Sequence, residues 1–504
     1  MSALRAFSAF VFLGALSAAC GGPGAHPVAP RPAPAPPAGS EPAAQRDPLG
    51  PRPAVAQPPP FVPPVPVAYA APNGMTVWLL ERHTLPVVAV QIVVPAGAAT
   101  DPADKGGLAL ATANMLDEGA GARGALELSR DVDRLGATLQ TGAVADYAFA
   151  SLTTLKKNLA PAAMILGDVV VRPTFSTVEW RRVHDLWTNE LRARASEPDA
   201  VASVVSLRQL FGSAPYGHPT NGTLSSAAKV TLEDVRQFYR AAWRPDRATC
   251  VVVGDVTRAE LDPLLERALG GWKAAKGGAP ARAKAGAAPT TAASSPPRRV
   301  VVVDRPDAPQ SVLALVRPGV AASDPEAAAL VRVNTALGGS FTSRLNQDLR
   351  EEHGWSYGAG SRLSFNKDRG LFSAQAAVQT EHTGEALAAM IADVEALARA
   401  GLTDEEVEKT RLIARGELVE SFESVAAASR RLGRNAGVGL PPDHEAKASA
   451  LRDRASKEEL RSLAAKYIDP TGAIVVIVGP RAQIQPQLEK IGITTLVASS
   501  PEGD

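Results

Sequence analysis

The sequence predicts an α+β protein made of two homologous repeats, each a mostly antiparallel sheet packed with helices on one face, joined by a flexible linker. Three features support this prediction. The chain has 504 residues, enough for more than one hydrophobic core. A stretch rich in Ala, Pro, Gly, Ser and Thr, residues 274–298, divides it into two segments. In both segments, short β-branched runs alternate with long amphipathic stretches.

Residues 1–20 have the pattern of an export signal. Arg5 supplies a positive charge, and a short apolar run ending at Leu16 is followed by small residues and Cys20. The run is shorter than the roughly 20 residues of a membrane-spanning helix. Residues 16–21 also resemble a bacterial lipobox, which implies lipidation of Cys20, although Leu16 lies one place earlier than usual and plain secretion is the alternative. We therefore expect an exported, periplasmic or outer-membrane-anchored bacterial protein that contacts the membrane only through its lipid.

Residues 21–66 follow the signal and are dominated by Pro and Ala. Such a composition buries too little apolar surface to offset the entropy of ordering the chain, and it favours extended conformations. We expect this segment to be a disordered tether between the anchor and the folded part of the protein.

The composition argues against two classes of function. Lys and Arg together number 53 against 52 for Asp and Glu, so the net charge of +1 gives no reason to expect a nucleic-acid partner. The chain has two cysteines, and Cys250 lies in an apolar run that predicts a buried strand. A zinc site built on cysteines is therefore excluded, and a disulfide is not expected.

The two repeats are predicted to cover residues 67–273 and 299–492, and residues 493–504 are left as a tail. Landmarks in the two repeats match. Asp101 in the first repeat corresponds to Asp324 in the second, and Gly254 corresponds to Gly479, at almost the same offset along the chain. The apolar patterns predict strands and long helices in corresponding places. The predicted strands are Thr76–Leu80, Val87–Val94, Val300–Val303 and Ser311–Val316, and the long helices are Glu179–Ala195 and Glu405–Phe422.

Motifs rich in glycine and aromatic residues occur in both repeats. The first repeat contains Leu210-Phe211-Gly212 and Pro215–Pro219, and the second contains Leu337–Leu345 followed by Leu349–Gly358. With a Gly-x-x-x-Asp-Pro motif before the first helix, they resemble the insulinase/pitrilysin zinc metallopeptidases of the mitochondrial processing peptidase type. The resemblance extends over roughly residues 68–490. It implies a peptidase fold whose active site can be shared between two polypeptides.

The zinc motif of that family is degenerate in this chain. Catalytic members carry His-x-x-Glu-His on the first helix, where positions i and i+4 bring two imidazoles to one zinc and the Glu acts as general base. The matching positions here are Leu110, Ala113 and Asn114. Leu and Ala offer no ligand atoms, and Asn is a poor zinc ligand. Glu190 matches the third ligand, with an ordinary helix-surface Glu as the alternative, so the resemblance implies no metal bound by this chain.

A second functional element of the family is retained. Arg350 and Tyr357 match an Arg and a Tyr that, in the family, contact the substrate backbone near the scissile bond. A guanidinium and a phenol both donate hydrogen bonds, and both can stabilise negative charge on a carbonyl oxygen. In the alternative interpretation, Arg350 caps a helix C-terminus or forms an ion pair there, beside Glu351 and Glu352, and Tyr357 packs on a strand.

These features predict a noncatalytic or half-site partner subunit of an insulinase-family zinc endopeptidase, inactive in peptide hydrolysis when alone. The expected partners are a peptide substrate and a catalytic subunit with intact His-x-x-Glu-His, and the zinc is expected in that partner. One alternative is a peptide-binding or structural module of the cell envelope built on a peptidase-derived fold. Another is a peptidase that acts alone through a displaced zinc site.

Overall fold

The computed structural model describes residues 61–274 and 298–503, which belong to one compact unit. The predicted signal with Cys20, residues 21–60 of the predicted tether and residues 275–297 of the predicted linker lie outside the described residues. Within the described ranges, no helix combines the length and the apolar character that crossing a membrane requires.

Within residues 61–274, six strands form one sheet in the order β1-β2-β6-β3-β5-β4. The pair β2–β6 is parallel, and the other neighbouring pairs are antiparallel. The predicted strands at Thr76–Leu80 and Val87–Val94 are confirmed. The strands are β1 (Val67–Ala70), β2 (Thr76–Glu81), β3 (Val87–Val94), β4 (Thr138–Ala143), β5 (Ala148–Leu155) and β6 (Thr249–Gly254).

Within residues 298–503, a second sheet of six strands has the order β12-β7-β11-β8-β10-β9. Strand β7 is parallel to β11 and to β12, and the other neighbouring pairs are antiparallel. Apart from the edge strands β1 and β12, the order repeats that of the first sheet. The strands are β7 (Arg299–Asp304), β8 (Gln310–Gly319), β9 (Ser356–Ser364), β10 (Gly370–Gln379), β11 (Ile474–Gly479) and β12 (Leu496–Ala498).

The helices pack on these sheets, and both predicted long helices are confirmed as α4 and α12. Helix α4 begins after Ser176, whose hydroxyl accepts a hydrogen bond from the Glu179 amide, and a capping box starts α12 at Thr403. The helices of the first repeat are α1 (Leu108–Asn114), α2 (Ala125–Arg134), α3 (Leu159–Val171), α4 (Thr177–Ser196), α5 (Pro198–Phe211), α6 (Leu224–Ala227), α7 (Leu232–Ala242) and α8 (Arg258–Leu269). Those of the second are α9 (Ala327–Asn334), α10 (Arg344–Asn346), α11 (Thr383–Ala400), α12 (Asp404–Glu420), α13 (Val425–Gly437), α14 (His444–Arg454), α15 (Lys457–Tyr467) and α16 (Arg481–Lys490).

The two repeats exchange helices. Helix α13 of the second repeat packs on β3 and β6 of the first sheet, where Leu432 meets Trp78 and Val251. Helix α5 of the first repeat packs on β8 and β11 of the second sheet through residues such as Val201 and Val205. The sequence predicts helices on one face of each sheet. The structure differs because the central strands β6 and β11 are apolar on both faces, so both faces must be covered.

Two boundaries drawn from the sequence also differ in the structure. Residues 61–66, assigned to the tether, include Phe61, whose ring centroid lies 6.2 Å from that of Phe422. Residues 493–504, assigned as a tail, contain β12, and the Glu502 carboxylate beyond it accepts a hydrogen bond of 2.6 Å from the Ser225 hydroxyl. A short strand and single side-chain contacts leave too weak a pattern in the sequence to be predicted.

Candidate functional site

Helix α1 carries Leu110, Ala113 and Asn114, the positions that we matched to the zinc motif of the resembled family. The side chain of Asp101 caps its start, because its two carboxylate oxygens accept hydrogen bonds from the amides of Gly107 and Ala109 at 2.7 and 2.8 Å. Gly107 has a φ of +97°, and a Cβ atom there would lie 2.5 Å from the ring of Trp187 on α4. The local sequence thus fixes α1 against α4 through a glycine that no other residue can replace without strain.

The three degenerate zinc-motif positions serve packing in this structure. Ala113 is fully buried in the core, Leu110 packs at the core's edge, and Asn114 is half-buried. The side chain of Glu190 is exposed on α4. These four residues do not fit a zinc ion, because Leu110 and Ala113 contribute no donor atom. In residues 61–274 and 298–503, no group of three or more His, Cys, Asp or Glu side chains is arranged to hold a metal.

Ion pairs join the end of α1 to α4. Glu118, just beyond α1, pairs with Arg182, and the Nε atom of Arg182 also lies 2.8 Å from Glu179. The hydrogen bonds that Arg182 donates to Glu118 and Glu179 raise the pKa of its guanidinium. This surface is therefore held by paired charges.

The second repeat places its retained residues on an irregular segment. After α9 the chain forms a π-helical turn at Thr335–Gly339, continues through α10, and forms a second π-helical turn at Gln347–Glu352 before β9. Such turns are rare and occur frequently at functional sites. Arg350 lies in the second turn, and Tyr357 is the second residue of β9.

Arg350 and Tyr357 lie together at the surface. The Cζ atom of Arg350 is 5.6 Å from the centroid of the Tyr357 ring, and its Nε atom is 3.5 Å from a carboxylate oxygen of Glu351. Tyr357 is 90% exposed, so its ring is not packed against the sheet as the alternative interpretation supposes. The pairing of Arg350 with Glu351, which that interpretation also supposes, is present.

The structure adds Phe341 to this pair, a residue that the sequence analysis does not single out. Its ring centroid lies 4.7 Å from the Cζ atom of Arg350, and its side chain is 66% exposed. The available signal was a bulky apolar residue between glycine, serine and threonine, outside any periodic pattern. We call Phe341, Arg350 and Tyr357 the arginine–aromatic cluster.

Two asparagines cover the outer edge of β9 beside the cluster. Asn346 accepts a hydrogen bond of 3.4 Å from the Ala359 amide, and Asn334 donates one of 3.2 Å to the Ser361 carbonyl. Strand β4, at the equivalent edge of the first sheet, has β5 as its sole strand partner within residues 61–274. Two backbone groups of β9, the Ala359 amide and the Ser361 carbonyl, are therefore already bonded to side chains of this chain.

Asp393 interacts electrostatically with Asp348 and Glu352, which lie in the same π-helical turn as Arg350. Burial, together with the carboxylates of Asp348 and Glu352, raises the pKa of Asp393 to about 6 against the opposing charge of Arg344. Arg344 itself is held by two hydrogen bonds of 2.7 Å to Glu406. The pKa of Glu406 is lowered, because these bonds outweigh its burial.

The shared strand order of the two sheets and the exchange of helices between them define this chain as a two-repeat α+β protein. Comparison with known families then identifies its family. The model described as Insulinase (Peptidase family M16) matches residues 76–224, and the model described as Peptidase M16 inactive domain matches residues 229–413. This chain belongs to the insulinase, or peptidase M16, family.

Bacterial relatives extend over most of the chain. The uncharacterized zinc protease YmxG of Bacillus subtilis is 24% identical over 370 residues, which cover 73% of this chain and 87% of YmxG. The uncharacterized zinc protease Rv2782c of Mycobacterium tuberculosis is 25% identical over 364 residues, which cover 72% of this chain and 82% of the relative.

Solved structures share the fold. A peptidase M16 inactive domain from Pseudomonas fluorescens has a TM-score of 0.75 and 24% identity, and the match covers 82% of this chain and 98% of that one. A protease from Helicobacter pylori also has a TM-score of 0.75, with 18% identity and coverage of 82% and 100%.

Proposed function

We propose that this chain is the noncatalytic partner of an insulinase-family zinc endopeptidase subunit, to which it contributes Arg350 and Tyr357 as hydrogen-bond donors to a peptide carbonyl. The observation that carries the proposal is the proximity of these two donors at the surface of a chain whose α1 positions do not fit a zinc ion. The zinc belongs to the partner, which has an intact His-x-x-Glu-His motif.

The chemistry of the two side chains suits this role. A guanidinium carries several N–H donors in a fixed plane, and a phenol carries one O–H donor. Both strengthen their hydrogen bonds as negative charge develops on a carbonyl oxygen, which lowers the barrier to peptide hydrolysis. Because Tyr357 is 90% exposed, a peptide reaches its hydroxyl without any rearrangement of the sheet.

The substrate is proposed to be an extended peptide. Such peptides bind by adding a strand to an open sheet edge. We place this peptide on β4, an edge strand of the described first repeat, because Asn334 and Asn346 already bond the backbone of β9 at Ser361 and Ala359. Arg350 and Tyr357 then contact the peptide as side chains, without strand pairing to β9.

The test is a cleavage assay with a quenched-fluorescence peptide library and added zinc. This protein, an intact-motif homologue from the same genome, and their mixture are compared. We expect cleavage by the mixture alone, and we expect Arg350→Ala or Tyr357→Phe to lower kcat by about 10²–10³, the effect of removing one oxyanion donor. Arg362→Ala is the matched control, because Arg362 is an exposed arginine on β9, the strand that carries Tyr357.

The alternative function, a peptide-binding or structural envelope module, predicts a different result. In that case mixing produces no cleavage, while fluorescence anisotropy detects peptide binding by this chain alone, weakened by Arg350→Ala. Cleavage by the mixture that is indifferent to both Arg350→Ala and Tyr357→Phe contradicts the shared-site proposal.

The proposed location is the bacterial envelope, with Cys20 as the lipidated residue. Export would place the chain where it meets secreted or periplasmic peptides. Expression of the full chain and of Cys20→Ser, followed by membrane fractionation, tests this part. We expect the wild-type protein in the membrane fraction and the variant in the soluble fraction, whereas a soluble wild-type protein would indicate plain secretion.

A further inference from the structure

Phe341 has no part in the proposed chemistry, yet its side chain is 66% exposed and lies against Arg350. The guanidinium carbon is closer to the ring centroid of Phe341, at 4.7 Å, than to that of Tyr357, at 5.6 Å. Both distances are within the range of a cation–π contact. The ring of Phe341 is therefore the nearer aromatic contact of the guanidinium.

Two hydrogen bonds from side chains hold the backbone at Phe341 and the next residue. Buried Asn346 donates a hydrogen bond of 2.7 Å to the Phe341 carbonyl, and Lys409 donates one of 2.6 Å to the carbonyl of Thr342. Asn346 also accepts from the Ala359 amide of β9, so it links the Phe341 loop to the strand that carries Tyr357. The backbone from which the ring projects is thus held by hydrogen bonds in which the ring takes no part.

We infer that Phe341 is a positioning residue, whose ring holds the guanidinium of Arg350 beside the phenol of Tyr357. The half-buried side chain of Arg350 has several rotamers open to it, and a contact with an aromatic face reduces the number that are populated. With the guanidinium held, Arg350 and Tyr357 can act on the same carbonyl. This consequence for hydrolysis rests on the proposed function, whereas the contact itself is tested without it.

The first test measures the chemical reactivity of Arg350 in the full chain. Phenylglyoxal modifies accessible guanidinium groups, and mass spectrometry of the digested protein gives the rate at each arginine. We expect Phe341→Leu to raise the rate at Arg350 by about 2- to 5-fold, the factor that corresponds to an exposed cation–π contact. Phe341→Tyr keeps a ring and is expected to keep the wild-type rate. Arg362, exposed on β9, is the internal reference.

An unchanged Arg350 rate in Phe341→Leu overturns the inference. If the rate at Arg362 rises equally, a general loosening of the segment explains the result, and the inference also fails. A rise at Arg350 alone, reversed by Phe341→Tyr, supports it.

The second test uses the cleaving mixture. We expect Phe341→Leu to lower kcat/KM by about 2- to 5-fold, and to have no further effect when Arg350 is already Ala. An additional loss in that double variant means that Phe341 acts independently of Arg350 and contradicts the inference. If Arg350→Ala and Tyr357→Phe both leave cleavage unchanged, the proposed function fails, and the modification rates still decide the role of Phe341.

Discussion

Replacing Leu432 with alanine tests whether the exchanged helix α13 stabilises the first repeat. Leu432 belongs to the second repeat, but it is fully buried against Trp78, Val251 and Val253 of the first sheet. Truncating a buried leucine to alanine costs about 2–5 kcal/mol, through lost apolar burial and the cavity left behind. We expect about 3 kcal/mol, because the facing strand residues are themselves buried and cannot collapse fully into the space.

Denaturant unfolding followed by tryptophan fluorescence measures this cost. All tryptophans except Trp355 precede residue 275, so the signal reports mainly on the first repeat. Hydrogen exchange then locates the effect, and we expect faster exchange in β2 and β6 as well as in α13. Leu126→Ala on α2 is the control, because Leu126 is 64% exposed and its loss is expected to change stability by less than about 0.5 kcal/mol.

The reasoning is refuted if Leu432→Ala leaves the tryptophan-detected midpoint unchanged. It is also refuted if exchange accelerates within α13 while β2 and β6 keep their protection. Either result would mean that the first sheet does not depend on the helix that covers it.

Three further predictions concern buried charges and the C-terminal contact. Burial raises the native pKa of Asp393 from 3.8 to about 6, so ionisation of this carboxyl lowers stability as pH rises through that window. In denaturant titrations, Asp393→Asn should raise the free energy of unfolding by about 1 kcal/mol at pH 8, after allowance for solvent screening, and should leave it unchanged at pH 4. Burial opposes the ionisation of Glu445, but hydrogen bonds from Arg431 lower its pKa. The stabilisation from this pair is therefore fully present above about pH 4.5 and is lost as pH falls through the native pKa. In the same assay, Glu445→Gln should lower the free energy of unfolding by about 3 kcal/mol at pH 7 and by much less at pH 3. Loss of the hydrogen bond from Ser225 in Glu502→Ala should cost about 0.5–1.5 kcal/mol and accelerate hydrogen exchange in α6; unchanged exchange there would show that the contact contributes nothing.

Much of the fold follows from the sequence, because valine-rich runs mark buried strands. The runs at Val87–Val94 and Val300–Val303 form β3 and β7 as predicted. The exchange of α5 and α13 was not predicted, since an amphipathic helix shows that it has an apolar face but not which sheet covers it. The runs of β6 and β11, apolar on both faces, were the local signs that each sheet needs helices on both faces.

The candidate site was predictable to a smaller degree. Arg350 and Tyr357 were found through a family resemblance, and no local pattern predicts that their side chains lie together at the surface. Phe341 lies between two π-helical turns, and its contact with Arg350 depends on the path of the chain through them. Such turns have no sequence signature comparable to a helix cap, so this contact required the structure.

The helix exchange constrains the order in which the chain can fold. When residues 61–274 emerge from the ribosome or from a translocation channel, the face of β3 and β6 that α13 will cover has no helix on it. The same face of the sheet carries Trp78 of β2 and Val251 and Val253 of β6, so it attracts chaperones or other apolar surfaces until residue 437 has emerged. Burial of this face of the first sheet therefore waits for synthesis of the second repeat. A chain truncated before α13 should be prone to aggregation.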